Sequence, residues 1–503
     1  MICDSQEAVV RFLSSPSTYG GAAVQRIDTH LSHVFLAGAR VYKIKRAVQY
    51  EFVDFSTVDL RKKSCENEVR VNRRTAPEMY LGVVPIYCRD GEISWDAKGM
   101  IVEWAVEMVR FDADQQFDAL LARRALDTST IKTLADEIAK FHLNAEVVAA
   151  FRTGGGVGAT IDQIATSLQK NDVGATRERD VARWARLAFS EFEHAAKFLE
   201  ARQRHGWVRH CHGDLHLANI CMFRDKPTPF DAIEFNDDLS NIDVLYDLSF
   251  VLMDLVHHKR KDLANLLLNR YLSATRDYSG VRLLRLFQSM RAGVRAMVLN
   301  LPSQPDQSKR LAGRYLDLAL EYLIGENAPR LIAVGGFSGT GKSTLARSLA
   351  LHFNGLSGAV VLRSDVARKR LSGHAPEDRL HDENYADDHT HVVYRRLLKD
   401  AGRLLRAGQS VIVDATFLSP DFRKAAVDVA EKAHAPFDGL WLSASRDILI
   451  DRVASRMGGA SDATVGVLER QLDNTVEPAD WHVIDAGGSR LDTLDAAQCV
   501  FDL

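Results

Sequence analysis

The feature that most constrains the fold is a glycine-rich octapeptide at residues 336–343, which reads G-F-S-G-T-G-K-S. It directly follows the apolar run L-I-A-V at 331–334, which predicts a strand. A glycine-rich turn lets backbone N–H groups approach phosphate oxygens that side chains would otherwise keep at a distance. The pattern therefore predicts a phosphate-binding loop between a strand and a helix, and with it a nucleotide site.

The residues of this loop have specific predicted tasks. Lys342 would reach the β- and γ-phosphates of ATP, and the Ser343 hydroxyl would ligate Mg²⁺. Nucleotide contacts are expected from a continuous run: Gly336, Phe337, Ser338, Gly339, Thr340, Gly341, Lys342, Ser343 and Thr344. ATP and Mg²⁺ are the expected cofactors, and a chance glycine turn is the alternative.

Two acidic residues end further strand candidates of the same segment, at the strand ends where ligands of open α/β sheets gather. Asp414 ends the apolar run V-I-V-D and would hold the hydration shell of magnesium. Asp365 ends the run V-V-L-R-S-D and would deprotonate an acceptor hydroxyl. An N-cap on the next helix is the alternative for each residue.

Two arginines further along are candidate catalytic residues. Arg452 and Arg456 lie four residues apart in the helical stretch 448–457. Both would clamp transferred phosphate through charge-assisted hydrogen bonds. A solvated charged helix face is the alternative.

Strands and helices alternate from residue 331 onward. The strand candidates are 331–335, 359–363, 410–414 and 438–443. This alternation predicts a parallel sheet with crossover helices. On these motifs the segment resembles the small P-loop kinases that phosphorylate metabolite hydroxyls, a group that includes gluconate kinase, chloramphenicol phosphotransferase and zeta-type toxins. The resemblance implies that Asp365 is the general base, that Thr416 and Arg423 lie near the acceptor, and that the two arginines belong to a mobile lid.

A second phosphate-chemistry pattern lies far upstream, where residues 212–219 read H-G-D-L-H-L-A-N and residues 231–234 read D-A-I-E. The spacing H-x-D-x-x-x-x-N predicts that Asp214 orients a hydroxyl as the catalytic base and that Asn219 binds a metal ion. Asp231 follows at the spacing that a second metal ligand needs across a short hairpin. An ordinary turn with an Asp cap is the alternative for H-G-D alone.

This second site needs a lysine for the phosphates and an acidic residue that positions the lysine. Lys43 is favoured over Lys45, because its neighbour on the same strand face is the apolar Val41, which could lie under an adenine. Glu68 is the favoured partner, Glu66 is the alternative partner, and a surface helix pair is the alternative interpretation. The strand at 101–104 is expected to serve as the hinge that contacts adenine.

Residues from about 25 to 325 resemble the aminoglycoside phosphotransferase and choline kinase superfamily, whose fold is similar to that of protein kinases. The H-G-D-L-H-x-x-N and D-x-x-E elements carry this resemblance, and it implies that Asp247 braces the catalytic loop. A G-x-G-x-x-G motif is missing, and D-A-I-E stands in place of D-F-G. Both departures favour a small-molecule kinase over a protein kinase. The order of the two modules resembles a bacterial class described as fused aminoglycoside phosphotransferase-like and ATP-binding proteins.

The chain is therefore expected to have two domains. The first, residues 1–326, is an α+β protein-kinase-like (aminoglycoside phosphotransferase) domain, with a β-lobe at about 20–105 and a helical lobe at about 106–326. The second, residues 327–503, is an α/β P-loop kinase domain with a parallel sheet. The boundary follows from the helix-breaking stretch G-E-N-A-P at 325–329.

The composition limits which binding partners and which cellular location are expected. A net charge of −3 argues against a nucleic-acid binder that works by bulk electrostatics. The beginning of the chain lacks a basic segment followed by an apolar core, and the most apolar helical stretch, 244–256, contains two aspartates, so neither a secretory signal nor a membrane span is expected. The cysteines form no C-x-x-C pair, which favours reduced thiols and a cytoplasmic location.

The favoured function is an ATP-dependent phosphotransferase in which each module transfers the γ-phosphate to a hydroxyl of a small molecule. No nucleic-acid or membrane partner is expected. One alternative makes a single module catalytic and the other a nucleotide-binding regulator. A further alternative is a nucleotide-gated switch protein.

Overall fold

Two compact units make up the chain in the computed structural model. The first unit combines Met1–Ile164 with Phe192–Asp254, and the second combines Ala165–Glu191 with Leu255–Leu503. The boundary predicted at residue 326 stays a prediction. The structure describes the following residues: 6–50, 53–148, 156–171, 177–301, 304–325, 328–353, 355–380, 387–455, 462–474 and 477–502.

A twisted antiparallel sheet opens the first unit. Among the described residues its strand order is β1-β2-β3-β8-β6-β7, and a second, two-stranded sheet pairs β4 with β5. The elements are α1 (Gln6–Ser14), β1 (Val24–Asp28), β2 (Ser32–Ala37), β3 (Arg40–Lys45), β4 (Gln49–Tyr50), β5 (Val53–Asp54), α2 (Val58–Asn72), β6 (Tyr80–Arg89), β7 (Glu92–Ser94) and β8 (Met100–Val109). Helix α1 was not predicted.

Strand alternation places the residues of β3 on two faces. Ile44 packs in a core with Val9 and Leu13 of α1. Val41 packs in a different core, against helix α2. Because Lys43 and Lys45 follow Val41 at intervals of two, both lysines face α2.

Helices and short strands follow the sheet. They are α3 (Phe117–Ala122), α4 (Thr128–Asn144), α5 (Val157–Lys170), α6 (Glu178–Arg204), β9 (Val208–His210), β10 (Ile220–Phe223), β11 (Lys226–Pro229), α7 (Asp237–Ser240), β12 (Asn241–Asp243), α8 (Val244–His257), α9 (Lys261–Thr275), α10 (Leu284–Leu299) and α11 (Asp306–Ile324). Strand β9 pairs with β12, and β10 forms a hairpin with β11. The catalytic-loop motif at 212–219 lies between β9 and β10.

A parallel sheet of order β14-β15-β13-β16-β17 forms the centre of the second unit. Its elements are β13 (Leu331–Gly336), α12 (Lys342–Ala350), β14 (Val360–Arg363), α13 (Ser364–Leu371), α14 (Asp387–Arg406), β15 (Val411–Asp414), α15 (Pro420–Lys432), β16 (Phe437–Ser443), α16 (Arg446–Ala454), α17 (Val465–Asn474), β17 (His482–Asp485) and α18 (Arg490–Cys499). The predicted parallel sheet is confirmed. Strand β17 was missed, because three of its four side chains are exposed and it lacks an apolar run.

The helices and cysteines of the structure can be compared with what the composition predicted. Among the helices that the structure describes, none combines the length and the apolar character that a bilayer span requires. Cys65, Cys211, Cys221 and Cys499 are free thiols, whereas Cys88 is disulfide-bonded. The expectation of reduced thiols is therefore wrong for Cys88.

Candidate active sites

The catalytic-loop motif brings Asp214 and Asn219 together. Asn219 Nδ2 donates to the Asp214 carboxylate at 2.9 Å and to the Asp214 backbone carbonyl at 3.0 Å. His216 Nε2 lies 3.4 Å from the same carboxylate. The Asp214 side chain keeps 38% of its surface exposed, so the loop presents an oriented and accessible carboxylate.

Helix α8 holds this loop in place through hydrogen bonds to Asp247. Its buried carboxylate accepts the N–H groups of His212 and Gly213, each at 3.0 Å. His142 Nε2 lies 3.1 Å from the same carboxylate. Gly213 has φ +86°, and a Cβ there would lie 3.0 Å from the backbone oxygen of Leu239, so the turn requires glycine. The start of this loop is thus fixed by two backbone hydrogen bonds to Asp247.

Both candidate lysines bind Glu68 of helix α2. Lys43 Nζ lies 2.8 Å from Glu68 Oε1, and Lys45 Nζ lies 2.5 Å from Glu68 Oε2. Lys43 also bonds to Asp231 at 2.6 Å, whereas Lys45 also pairs with Glu234. The two lysines therefore link the same helical acid to the two acids of the D-A-I-E motif. The favoured partner of the lysine, Glu68, lies at the centre of this network.

The pKa values in this network follow from burial and charge. Burial alone would raise the pKa of Glu68, but the charges of Lys43 and Lys45 outweigh it and lower that pKa to about 2. Burial opposes the charge of Lys43, yet Asp231 and Glu68 raise its pKa well above the usual value. Burial raises the pKa of Glu234 in spite of Lys45. Lys43 therefore remains a full positive charge at neutral pH.

An apolar cluster next to the lysines has the composition of an adenine pocket. Val41, Val106 and Met108 are buried in it, and Phe111 and Phe230 pack against it with ring centroids 5.0 Å apart. Flat apolar walls of this kind suit an aromatic base. The cluster lies near the end of β8, because Val41 pairs with Met108 across β3 and β8.

The strand register locates the predicted adenine-contacting hinge relative to Lys43. The predicted hinge, 101–104, lies at the beginning of β8, where Ile101 pairs with Tyr87. Lys43 instead pairs with Val106, and the strand ends at Val109 before the chain continues to α3. The predicted hinge residues therefore lie away from the position that pairs with Lys43, and their contact with adenine stays a prediction. The sequence pattern identified the strand but not which of its ends faces the lysine.

The phosphate-binding loop has the predicted strand–turn–helix context between β13 and α12. Gly336, Gly339 and Gly341 have φ values of +133°, +91° and +95°, conformations that favour glycine. A Cβ on Gly336 would lie 2.5 Å from the backbone oxygen of Leu442. Lys342 Nζ donates to the carbonyls of Gly336 and Phe337 at 2.9 and 2.7 Å, so the lysine lies across the loop.

The expected metal ligands of this module are in contact. Ser343 Oγ donates to Asp414 Oδ2 at 2.5 Å. A hydroxyl and a carboxylate are oxygen ligands that Mg²⁺ prefers, so the donor set fits the ion. Arg363, which the sequence analysis did not select, donates to the same Asp414 oxygen at 3.0 Å and to Ser343 Oγ at 2.9 Å. Its position at the end of β14, two residues before Asp365, was the available signal.

Asp365 lies in the first turn of α13, beside the end of β14. Burial and the nearby charge of Asp414 raise the pKa of the Asp365 carboxyl, although Arg363, Lys342 and Arg368 oppose this shift. A carboxylate with a raised pKa is a stronger base than an exposed one. The structure therefore places a poised carboxylate near the phosphate-binding loop.

The residues assigned to the acceptor side come from the segment after β15. The Thr416 hydroxyl lies 3.3 Å from the Tyr394 hydroxyl, which also accepts the N–H of Phe417 at 2.8 Å. Arg423 Nη1 donates to the carbonyls of Phe417 and Leu418 at 2.8 and 3.0 Å. Thr416 and Arg423 thus support one turn, and their contact with an acceptor stays a prediction.

The structure describes one of the two arginines that were predicted to clamp the phosphate. Arg452 donates to the backbone carbonyls of Ala486 at 2.7 Å and Gly488 at 3.2 Å, in the turn after β17. Phosphate contact would require this side chain to move, so its catalytic role stays a prediction. Arg456 lies outside the described residues. Gln471 of α17, which was not predicted, accepts the N–H of Ser338 in the phosphate-binding loop at 2.9 Å.

Comparison with known families agrees with this geometry. Residues 54–284 match the model described as the phosphotransferase enzyme family (APH), and residues 331–478 match an AAA domain model (AAA_33). The chain thus contains two kinase-related modules, an N-terminal phosphotransferase module and a C-terminal P-loop module. It is 31% identical over 475 residues to an uncharacterized protein of Mycobacterium tuberculosis, with 92% of each chain covered. The chain belongs to the same family as that mycobacterial protein.

Two solved structures are similar to part of the chain. A choline/ethanolamine kinase family protein from Mesorhizobium loti is 16% identical, covers 62% of this chain and 98% of its own, and has a TM-score of 0.37. A gluconokinase from Sinorhizobium meliloti is 20% identical, covers 35% of this chain and 92% of its own, and has a TM-score of 0.25.

Proposed function

We propose that the chain is an ATP-dependent phosphotransferase with two catalytic modules, each of which transfers the γ-phosphate of ATP to a hydroxyl group of a small molecule. The observation that carries this proposal is that each module contains a lysine, side-chain oxygen atoms of the kind that Mg²⁺ prefers and a further carboxylate. The proposal includes a cytoplasmic location, where ATP is supplied, and involves neither a nucleic acid nor a membrane.

In the N-terminal module, Asp214 would accept the proton of the acceptor hydroxyl as that oxygen attacks phosphorus. Asn219 and Asp231 would hold Mg²⁺ through oxygen atoms, and Lys43, kept in place by Glu68, would neutralise charge on the phosphates. When bound, Mg·ATP supplies the transferred phosphoryl group. The bond between Asn219 and Asp214 supports this assignment, because it orients the base and the metal ligand together.

In the C-terminal module, Lys342 would leave the loop carbonyls and reach the phosphates, while Ser343 and Asp414 would hold Mg²⁺. Asp365 would accept the acceptor proton, and its raised pKa strengthens it as a base. Arg363 would keep Asp414 oriented and add positive charge beside the phosphates.

The test is mass spectrometry of a metabolite extract incubated with Mg²⁺, γ-¹⁸O-labelled ATP and the purified chain. We expect labelled phosphate esters with wild type, and the loss of distinct esters with Asp214→Ala and with Lys342→Ala. Asp96→Ala, at an exposed turn position, is the control and should leave every product unchanged. A product lost in both variants would indicate sequential action on one compound. Nucleotide binding without any labelled ester would contradict the proposal and favour the switch alternative.

A further inference from the structure

One edge of the P-loop module's sheet is covered by a helix instead of a strand. In the part of the chain that the structure describes, strand β14 is an outer strand that pairs with β15 on one side. Its other side would present backbone N–H and C=O groups without a strand partner. Helix α9, Lys261–Thr275, contacts β14 on this side and belongs to the same compact unit. This helix comes from the segment that matches the phosphotransferase model, not from the segment that matches the P-loop model.

Two asparagine side chains of α9 replace the missing strand. Asn269 Oδ1 accepts the N–H of Val361 at 2.6 Å. Asn265 Nδ2 donates to the carbonyl of Ala359 at 3.0 Å. Asn269 Nδ2 donates to Asn265 Oδ1, also at 3.0 Å, so the two amides are linked to each other. The pair supplies one acceptor and one donor to the strand edge.

The spacing of the two asparagines explains why one helix face can satisfy a strand edge. Residues four apart in a helix lie about 6 Å apart along its axis. Residues two apart in a strand lie about 6.6 Å apart, and they point to the same edge. Asn265 and Asn269 therefore match Ala359 and Val361 in register.

Other polar contacts hold the helix at this position. Lys261 Nζ donates to the carbonyls of Leu351, at 2.5 Å, and Gly355. Arg270 pairs with Glu377 at 2.8 Å. Asn265 is only 4% exposed, so its hydrogen bonds are shielded from water and would be costly to leave unmade.

We propose that α9 is a built-in partner of the P-loop module and that Asn269 is a positioning residue for its active site. Val361 stands two residues before Arg363 and four before Asp365 in the sequence. The bond to Val361 holds β14 two residues before its end. The end of the strand places Arg363 against Asp414 and leads into Asp365. The catalytic part of this inference rests on the proposed function of Asp365, whereas the structural part does not.

The structural part is tested by hydrogen exchange in the full-length chain. Asn269→Leu has a similar volume but no acceptor, so we expect the amides of 360–363 to exchange about tenfold faster. Asn269→Asp keeps an acceptor oxygen and should retain most of the protection. Amides of β13 serve as the internal reference and should stay protected in both variants. Unchanged exchange at 360–363 in Asn269→Leu would overturn the inference.

The catalytic part is tested by ATP turnover in an Asp214→Ala background, which silences the N-terminal module. We expect Asn269→Leu to lower kcat about tenfold. KM for ATP should stay within about twofold, because the phosphate-binding loop follows β13 and not β14. Asn269→Asp should restore most of kcat. Equal losses in both variants, or a change in KM alone, would overturn the positioning role. If the parent shows no turnover that depends on Lys342, the proposed function of this module fails, and hydrogen exchange still decides the structural claim.

Discussion

Lys43 and Lys45 show how two identical residues on one strand face receive different environments. Both lysines bind Glu68. Lys43 also binds Asp231 and has 13% of its side chain exposed, whereas Lys45 also binds Glu234 and has 2% exposed. Lys43 therefore borders the candidate metal ligand, and Lys45 lies in the interior. This difference favours Lys43 as the phosphate lysine.

Exchanging each lysine for methionine should separate catalysis from stability. We expect Lys43→Met to lower ATP turnover by the N-terminal module about 100-fold, since a phosphate-binding charge is lost. We expect Lys45→Met to cost about 3–5 kcal/mol of unfolding free energy, because it leaves buried acids without their partner. Turnover measured in a Lys342→Ala background and urea denaturation check the two effects. The assignment is wrong if Lys45→Met folds stably and loses turnover while Lys43→Met stays active.

At the scale of elements, helix α8 determines the conformation of the catalytic loop. Asp247, in its first turn, accepts two successive backbone N–H groups of the loop, from His212 and Gly213. About two helical turns further along, Asp254 accepts the N–H of Leu217 at 3.1 Å. The same helix thus supports the loop at both ends through charge-assisted hydrogen bonds.

The two aspartates of α8 provide a matched comparison. Asp247→Asn keeps one acceptor oxygen for two N–H groups. We therefore expect the free energy of unfolding to fall by about 1–3 kcal/mol and ATP turnover by the N-terminal module to fall markedly. Asp254→Asn keeps an acceptor for the N–H of Leu217 and should have a smaller effect on both quantities. Urea denaturation and ATP turnover in the Lys342→Ala background are the measurements. Equal effects at the two positions would contradict the role assigned to Asp247.

At the scale of the whole molecule, each compact unit carries one complete set of candidate nucleotide-binding groups. Lys43, Asn219 and Asp231 all lie in the first unit. Lys342, Ser343 and Asp414 all lie in the second unit. Neither set shares a residue with the other, so we expect each site to bind nucleotide without the other site's groups.

Calorimetric titration with a non-hydrolysable ATP analogue and Mg²⁺ should therefore detect two nucleotides per chain. We expect Lys342→Ala to remove one binding event, Lys43→Met to remove the other, and the double variant to remove both. Each single variant should leave the remaining affinity within about threefold, because distant and independent sites contribute additively. A single binding event in the wild type, or the loss of both in one single variant, would contradict two independent sites.

Both modules were predictable from the sequence because their motifs are short and contiguous. The spacing of glycines in residues 336–343 and of Asp214 and Asn219 in one loop limits the backbone geometry locally, so the residue pattern alone indicates the chemistry. The central strands β13 and β15 of the P-loop module were predictable as well, because they are buried on both faces and therefore read as apolar runs. The exposed strand β17 carries no such pattern and was missed.

The tertiary structure decided the contacts between distant parts of the chain. Lys43 and Asp231 are 188 residues apart, and Asn269 and Val361 are 92 apart, so no local pattern relates them. Strand register decided which end of β8 lies beside Lys43, and packing brought Arg363 to Ser343 and Asp414. The sequence by itself therefore determined which chemical groups each site has, because backbone geometry within a loop is local. Only the folded chain determined their partners, because burial and register depend on residues far apart in sequence.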